Sequence, residues 1–477
     1  MCVRTLELYI DGQWVPASGT GGIDVVNPAT EEVMARVPLA SEADLDAALE
    51  SARRGFEIWR AVPPAERCRI IQRAARLLLD RADRVAPIMS DEQGKPLSES
   101  HAEITRATEL LEWAAEEGRR TYGETIPSPN GLRYLTFWEP IGPVLALTPW
   151  NFPMVSPARK VGTSLAAGCS CILKPSELTP HAALELVQAF HDAGLPAGVI
   201  NMVLGEAAPI CDRLLNSPVI RAVTFTGSVP VGKRIAEQAG RLLKPAVLEL
   251  GGHSPVIVFE DVDVERVARA AVAATYRNAG QVCTSPTRFY IQDAIYEKFV
   301  ETFAAHARSI QLGVGTDGAQ QMGPVASGRR REALLAVFAD AVQCGARLVL
   351  GGKAAGRTGY YLEPTIFAEV PEHARIMNEE PFGPVALFNR FSTPDEAVAK
   401  ANALPYGLAA YVFTTNVHTA RSVVHGIESG VVGLNSFSGS NPETPFGGNK
   451  DSGLGREGGT RGVREFMTLK FTVEGQL

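Results

Sequence analysis

The sequence predicts an α/β protein with a parallel, doubly wound sheet, and three observations carry that expectation. From Gly142 onward, short apolar strands alternate with helices at the spacing of strand–helix–strand units. A chain of 477 residues exceeds one simple core, so two or three domains are expected. The stretch Thr121 to Trp138 interrupts the pattern. It is rich in Pro and Gly, alternates through Leu132, Tyr134, Thr136 and Trp138, and reads as an extended arm or hairpin.

The elements follow in order. From Ser41 to Met89 the periodicity is helical: Ser41 and Asp44 form a capping-box start, and Leu45, Ala48, Leu49 and Ala52 mark one face. Pro63-Pro64 breaks that run before a second helix bearing Ile70, Ile71, Ala74, Leu77 and Leu78, and a third helical stretch covers about Leu97 to Arg120. Strands are expected at 144–147, 171–173, 199–203 and 222–225, with helices near 156–167, 181–193, 208–216 and 233–239 between or after them. The alternation resumes from Pro255 to Val258 and continues through Val432 to Leu434, which implies a second α/β domain. Residues Lys470 to Val473 read as a final extended strand.

Composition narrows the functional classes. Net charge is −7 with no basic block, which argues against nucleic acid and against a polybasic membrane contact. The N-terminus lacks the apolar core of a signal peptide, and no stretch approaches the roughly 18 apolar residues of a membrane span. Seven scattered cysteines suggest no disulfide framework, and Cys169 and Cys171 suit neither zinc nor a redox pair, so a reduced cytoplasm fits best and no metal is expected.

One cysteine has unusual surroundings. Cys283 ends Asn278-Ala279-Gly280-Gln281-Val282-Cys283, a polar, glycine-containing stretch ahead of the apolar run Arg288 to Ile291, and is expected in an exposed turn. A free thiol titrates at about 8.5, so a catalytic Cys283 needs a partner that activates it. Glu249, between apolar neighbours and before Gly251-Gly252, is one candidate: burial at a strand end raises a carboxyl pKa and suits it to proton abstraction, the alternative being a glutamate paired with lysine. His253 reads as a loop residue rather than a base. In Pro149-Trp150-Asn151-Phe152-Pro153 the prolines fix a turn that presents the Asn151 amide, an oxyanion donor or a structural turn asparagine. No Gly-x-Gly-x-x-Gly is present. Phe225-Thr226-Gly227-Ser228 with Gly232 offers a glycine turn into a helix, a ready phosphate site. Lys174-Pro175-Ser176-Glu177 follows another strand, and Glu380-Pro381-Phe382 supplies an acid and an aromatic.

Together these segments resemble the aldehyde dehydrogenase superfamily over nearly the whole chain: the motifs occur in the family's order, and the interval from Glu249 to Cys283 matches the family's spacing. The resemblance implies that fold: a Rossmann-type dinucleotide-binding domain (1–120 and 142–250), an α/β catalytic domain (251–445) and a β oligomerisation arm (121–141 and 446–477) that makes a homodimer or homotetramer. It implies that Cys283 attacks an aldehyde to give a thiohemiacetal held by Asn151 and the Cys283 N–H. Hydride transfer then leaves a thioester, and Glu249 activates the water that hydrolyses it. Cofactor contacts are implied for Trp150, Lys174, Ser176, Glu177, Gly227, Ser228, Gly232, Leu250, Glu380 and Phe382. Glu177 would favour NAD on charge grounds, with NADP possible.

Within the superfamily the chain looks most like succinate-semialdehyde dehydrogenases, whose two carboxylate-binding arginines match Arg159 and Arg277 and whose serine ligand falls near Ser440. Either arginine could instead serve a structural ion pair. Some subfamily members carry a second cysteine two residues after the nucleophile; here that residue is Ser285, so a disulfide switch is not expected. Likeness around Gly251-Gly252 and Cys283 to α-ketoglutarate-semialdehyde dehydrogenases leaves that substrate and glutarate semialdehyde open. A general aldehyde dehydrogenase and, remotely, a non-catalytic binding protein on this fold are the other readings.

Overall fold

The computed structural model describes residues 4–128, 131–315, 320–356 and 358–475. Two large sheets organise them. The first has eight strands, in the order Gly453–Leu454, Ala246–Leu250, Ala222–Gly227, Val144–Leu147, Cys171–Lys174, Ile200–Met202, Leu8–Ile10 and Gln13–Val15. The five central strands are parallel, and antiparallel strands close both edges. Neighbours along each strand point to opposite faces. Val144 and Ala146 therefore join one apolar core, while Leu145 and Leu147 join another on the far side. This two-sided burial explains why these strands read as continuous apolar runs.

Winding reverses between Val144–Leu147 and Ala222–Gly227, which are neighbours although two strands separate them in sequence. Such a switch point opens a crevice at the carboxyl ends of the strands. The 150–153 turn and the Gly227-Ser228 turn both leave from it.

The second sheet has seven strands, in the order Arg347–Leu350, Thr365–Ala368, Val385–Phe391, Pro286–Gln292, Ser254–Val258, Ala409–Phe413 and Val431–Leu434, parallel except at Arg347–Leu350. Its strands carry one contiguous core that includes Phe289, Phe303, Phe388 and Tyr411. Cys283 and Glu380 lie just before strands of this sheet, whereas Glu249 and Lys174 end strands of the first. The carboxyl edge of one sheet thus faces the amino edge of the other.

The helices begin where local chemistry starts them. Glu42–Arg60 has the capping box of Ser41 and Asp44, each side chain accepting the other's backbone N–H. Pro64 opens Pro64–Asp80 at its first position, where a missing N–H costs nothing. The stretch 121–138 forms strands Thr125–Ile126 and Arg133–Pro140, and the latter pairs antiparallel with Met467–Glu474 along its full length. The hairpin Leu8–Val15, the small sheet of Arg4–Thr5, Val33–Pro38 and Gly22–Val26, and the pairing of Gly453–Leu454 with Ala246–Leu250 are not expected from the sequence. Among the described residues no helix is long and apolar enough to cross a membrane.

Candidate active site

The Cys283 turn is shaped by backbone conformation. Helix Val264–Tyr276 stops at Arg277, and the next three residues are left-handed, with φ of 49° at Asn278, 52° at Ala279 and 69° at Gly280. Left-handed backbone costs roughly 1–2 kcal/mol for a residue with a Cβ. At Gly280 a Cβ would also lie 2.0 Å from the Gly383 carbonyl oxygen, so glycine is required there. Gln281 braces the turn, its amide donating to the Asn278 carbonyl and its side-chain oxygen accepting from Ala326 N–H. Cys283 emerges half-buried rather than fully exposed, because the turn packs between the two sheet edges.

Glu249 sits at the end of a buried strand, 3% exposed, with Oε1 lacking a hydrogen-bond partner. Burial, reinforced by nearby Glu457, pushes its carboxyl up to about 7, against the opposing pull of Lys160 and Arg159. The Cys283 thiol lies within hydrogen-bonding reach of it, and burial together with Glu249 and Glu380 raises that thiol well above its ordinary value. The resting pair is therefore a thiol beside a carboxyl poised near neutrality. Lys160, the nearby lysine that could have neutralised Glu249, is committed elsewhere: its ammonium pairs with Glu457 and donates to Thr224 Oγ1 at 3.0 Å. Burial opposes the ionisation of Glu457, but Lys160 and Arg159 outweigh it and hold the carboxyl below its usual range.

Lys160 and Glu457 were not singled out from sequence. A signal existed: helix Val155–Ala167 buries two adjacent cations, Arg159 and Lys160, and contains no acid. Buried charges require partners, so a carboxylate had to arrive from another element.

Asn151 is buried, and its Nδ2 donates to the Gln281 carbonyl at 3.0 Å, joining its turn to the cysteine turn. The amide has two N–H donors, and this bond uses one. His253 is a structural residue. Its ring bonds Thr287 Oγ1 at 2.6 Å and the Ile376 carbonyl at 2.8 Å, and burial lowers its pKa to about 3. Cys169 and Cys171 are buried thiols pushed up by burial to about 11 and about 12.

Arg159 and Ser440 do meet: Nη2 donates to Ser440 Oγ at 2.8 Å. Its Nη1 lies 3.7 Å from Glu457, its Nε is buried without a partner, and its guanidinium stands 4.9 Å from the Phe446 ring centroid. Arg277 is exposed and lies 5.6 Å from the ring centroid of Phe152, the neighbour of Asn151.

The residues that could hold a dinucleotide lie at or just after the carboxyl ends of first-sheet strands, apart from Glu380 and Phe382. Lys174 Nζ lies 2.8 Å from Glu177, and this pairing, overcoming burial, keeps the Glu177 carboxyl below its usual range. Ser176 Oγ accepts from Leu178 N–H. Helix Val229–Arg241 starts at Ser228, whose side chain makes no cap, so its amino end remains open to an anion. The helix starts four residues earlier than expected, which places Gly232 in its first turn. There a Cβ would come within 2.3 Å of Leu250 Cδ2, so glycine lets helix and strand approach closely. Gly227 ends the preceding strand against the Phe225 ring. Trp150 and Phe382 pack edge to face at 5.5 Å, and Arg330 Nε donates to the Phe382 carbonyl. Glu380 accepts from Gly252 N–H at 3.1 Å and burial pushes it up to about 8. An uncapped helix start, a half-buried carboxylate and an aromatic pair at a switch point fit a dinucleotide.

Comparisons with known proteins show the family. The model of the aldehyde dehydrogenase family matches residues 14–472. The 4-(hydroxymethyl)benzenesulfonate dehydrogenase TsaD1 of Comamonas testosteroni is 45% identical over 470 residues, covering 98% of both chains. The NADP-dependent succinate-semialdehyde dehydrogenase GabD of Escherichia coli is 40% identical over 470 residues, again covering 98% of both. The NAD+ complex of an aldehyde dehydrogenase from Bacillus cereus superposes with a TM-score of 0.96 at 35% identity, covering 98% of this chain and 96% of that one. On this evidence the chain belongs to the aldehyde dehydrogenase family and is an NAD(P)-dependent oxidoreductase acting on aldehydes.

Proposed function

We propose that the protein oxidises a short aldehyde carrying an anionic group at its far end, with succinate semialdehyde to succinate as the best-supported reaction. The observation that carries this reading is the pair of cations flanking the Asn151 turn: Arg159, fixed by Ser440 with a buried Nε lacking a partner, and Arg277, exposed over Phe152. A guanidinium grips a carboxylate through two charge-assisted hydrogen bonds. Glutarate and α-ketoglutarate semialdehydes share that terminus. A sulfonate-bearing aldehyde is a second reading, favoured by the 45% identity to a benzenesulfonate-derivative dehydrogenase.

In this mechanism Glu249 takes the Cys283 proton, and the sulfur attacks the aldehyde carbon. Asn151 Nδ2 and the Cys283 N–H receive the charge developing on oxygen, where each donor is worth about 10²–10³ in rate. The dinucleotide, when bound, supplies the hydride acceptor. Lys174 and Glu177 would hold its adenine-side ribose, the start of helix Val229–Arg241 would take its phosphates, and Glu380 and Phe382 would hold its nicotinamide end. Glu177 disfavours a 2′-phosphate, which makes NAD the preferred form. After releasing that first proton to solvent, Glu249 deprotonates the water that attacks the thioester carbon, the carbon–sulfur bond breaks, and the Cys283 sulfur leaves and regains a proton. In domain terms, the first sheet and its helices bind the dinucleotide and the second carries the nucleophile. The ribbon of Arg133–Pro140 and Met467–Glu474, with Leu469, Phe471 and Val473 half-exposed, joins copies of the chain into a dimer or tetramer.

The test compares kcat/KM for succinate semialdehyde, glutarate semialdehyde, a sulfonated aldehyde and butanal. Arg277→Ala is expected to lower kcat/KM for the anionic substrates by about 10- to 100-fold, the worth of a charged hydrogen bond, with butanal little changed. Equal turnover of butanal and succinate semialdehyde by the unmodified enzyme sinks the anionic-substrate reading.

A further inference from the structure

We infer that a buried ion pair outside the reacting groups, Lys95–Glu103, positions Asn151 and so sets the strength of the oxyanion site. The inference rests on Asn151 being the oxyanion donor.

The two side chains are each 1% exposed and lie 2.5 Å apart. Isolated buried charges are costly, and such pairs persist where further hydrogen bonds satisfy them. Here the further bonds converge on a single turn. Lys95 Nζ donates to the Asn151 backbone carbonyl at 2.8 Å and lies 4.5 Å from the Phe152 ring centroid. Glu103 Oε1 accepts from Met154 N–H at 2.8 Å and Val155 N–H at 3.1 Å. The cation therefore holds one side of the turn and the carboxylate the other, at the start of helix Val155–Ala167, where an anion is also favoured by the helix dipole.

Glu103 belongs to helix Leu97–Glu117, whose first turn also reaches the cysteine turn. Glu99, one turn before Glu103, accepts the Asn278 N–H at 3.0 and 3.2 Å, while Asn278 Nδ2 donates to the Asn151 carbonyl at 3.1 Å. Lys95 and Asn278 thus share one acceptor, the carbonyl of the residue whose amide faces Gln281. Removing the ammonium leaves that carbonyl with the Asn278 amide alone and leaves Glu103 a buried anion without its cation, so the turn is held less firmly and the Asn151 amide is less sharply directed toward the Cys283 turn. Lys95 and Glu103 are positioning residues, since neither touches the reacting atoms.

The experiment is a double-mutant cycle on the full-length enzyme with Lys95→Met and Asn151→Ala, measuring kcat and KM for succinate semialdehyde and butanal. Lys95→Met is expected to lower kcat by about 10- to 100-fold, approaching the loss of one oxyanion donor. The factor should be equal for both aldehydes, because the effect falls on the carbonyl oxygen and not on the distal anion. In the Asn151→Ala background it should produce little further loss, as expected for residues acting through one group. Glu103→Gln keeps the acceptor oxygen and removes the charge; it provides the same cycle should Lys95→Met not fold. Losses that multiply across the cycle, or unchanged kcat in the single variants, overturn the positioning role while leaving Asn151 in place. An Asn151→Ala enzyme with full kcat removes the oxyanion assignment and this inference with it. A loss confined to the anionic aldehyde would locate the effect at the substrate's far end, and that outcome also overturns the role.

Discussion

Cys283→Ala is expected to lower kcat for aldehyde oxidation by on the order of 10⁴-fold or more, the scale seen when a covalent nucleophile is deleted. Nucleotide affinity should change little, because the residues proposed to hold the dinucleotide belong to the first sheet and to the segment before Val385–Phe391. Several structural facts make the effect large. The thiol sits where the two sheet edges meet, with Glu249 in hydrogen-bonding reach, and no other described cysteine shares that environment. Cys68, Cys169, Cys171 and Cys211 are buried, and Cys344 follows helix Gly328–Gln343. Steady-state turnover and mass spectrometry of the enzyme mixed with aldehyde and dinucleotide check this. A variant retaining more than about a hundredth of wild-type kcat, judged against the loss expected for a nucleophile, would exclude the covalent route.

Glu249→Gln should have the second-largest effect, lowering kcat by about 10²–10⁴-fold, the range of positioned general-base catalysis. The pH dependence carries the sign. Base catalysis requires the carboxylate, and burial with Glu457 raises this group's pKa to about 7. The carboxylate fraction, and with it the rate, should therefore rise with pH through about 7 and level above it. Glutamine should abolish that ascending limb. Rapid mixing separates the two roles proposed for Glu249. If glutamine slows only hydrolysis, a first turnover of reduced dinucleotide survives; if it also slows thiol deprotonation, the burst slows too. An unchanged pH profile would dismiss Glu249 as the base.

Much of this arrangement was legible in the sequence because it depends on short-range chemistry. Ser41 and Asp44 announced a helix start through hydrogen bonds spanning three residues. The central strands announced themselves because both their faces are buried, which leaves few polar residues to disguise them. The glycines around Cys283 and Glu249 marked places where backbone and side chains approach too closely for a Cβ. What escaped depends on partners distant in the chain. Leu8–Ile10, buried beside Ile200–Met202, and the edge strand Gln13–Val15 are only three residues each, too short to show a period, and Gly453–Leu454 has no periodicity to read. These strands exist because an exposed sheet edge pairs with whatever segment reaches it. Lys160, Glu457, Lys95 and Glu103 escaped for a related reason. Each is an ordinary charged residue locally, and only folding shows it buried, where it must be matched. The exposure of Cys283 was overestimated because the turn that carries it packs against a second sheet edge.

The antiparallel strand Gly453–Leu454 and the nearby Glu457 also impose an order in time. Residues 151, 249 and 283 leave the ribosome well before residue 457, and domains generally fold as units while synthesis proceeds. Until the late segment arrives, strand Ala246–Leu250 has an open edge and Lys160 lacks the Glu457 carboxylate that keeps it from Glu249. The parts needed for chemistry are thus all present in a chain that cannot yet assemble them. A copy interrupted before Gly453 would keep Cys283 and Glu249 but leave Lys160 and Arg159 without Glu457 and free to neutralise the catalytic carboxyl, and with an open sheet edge it is a substrate for degradation rather than a partly active enzyme.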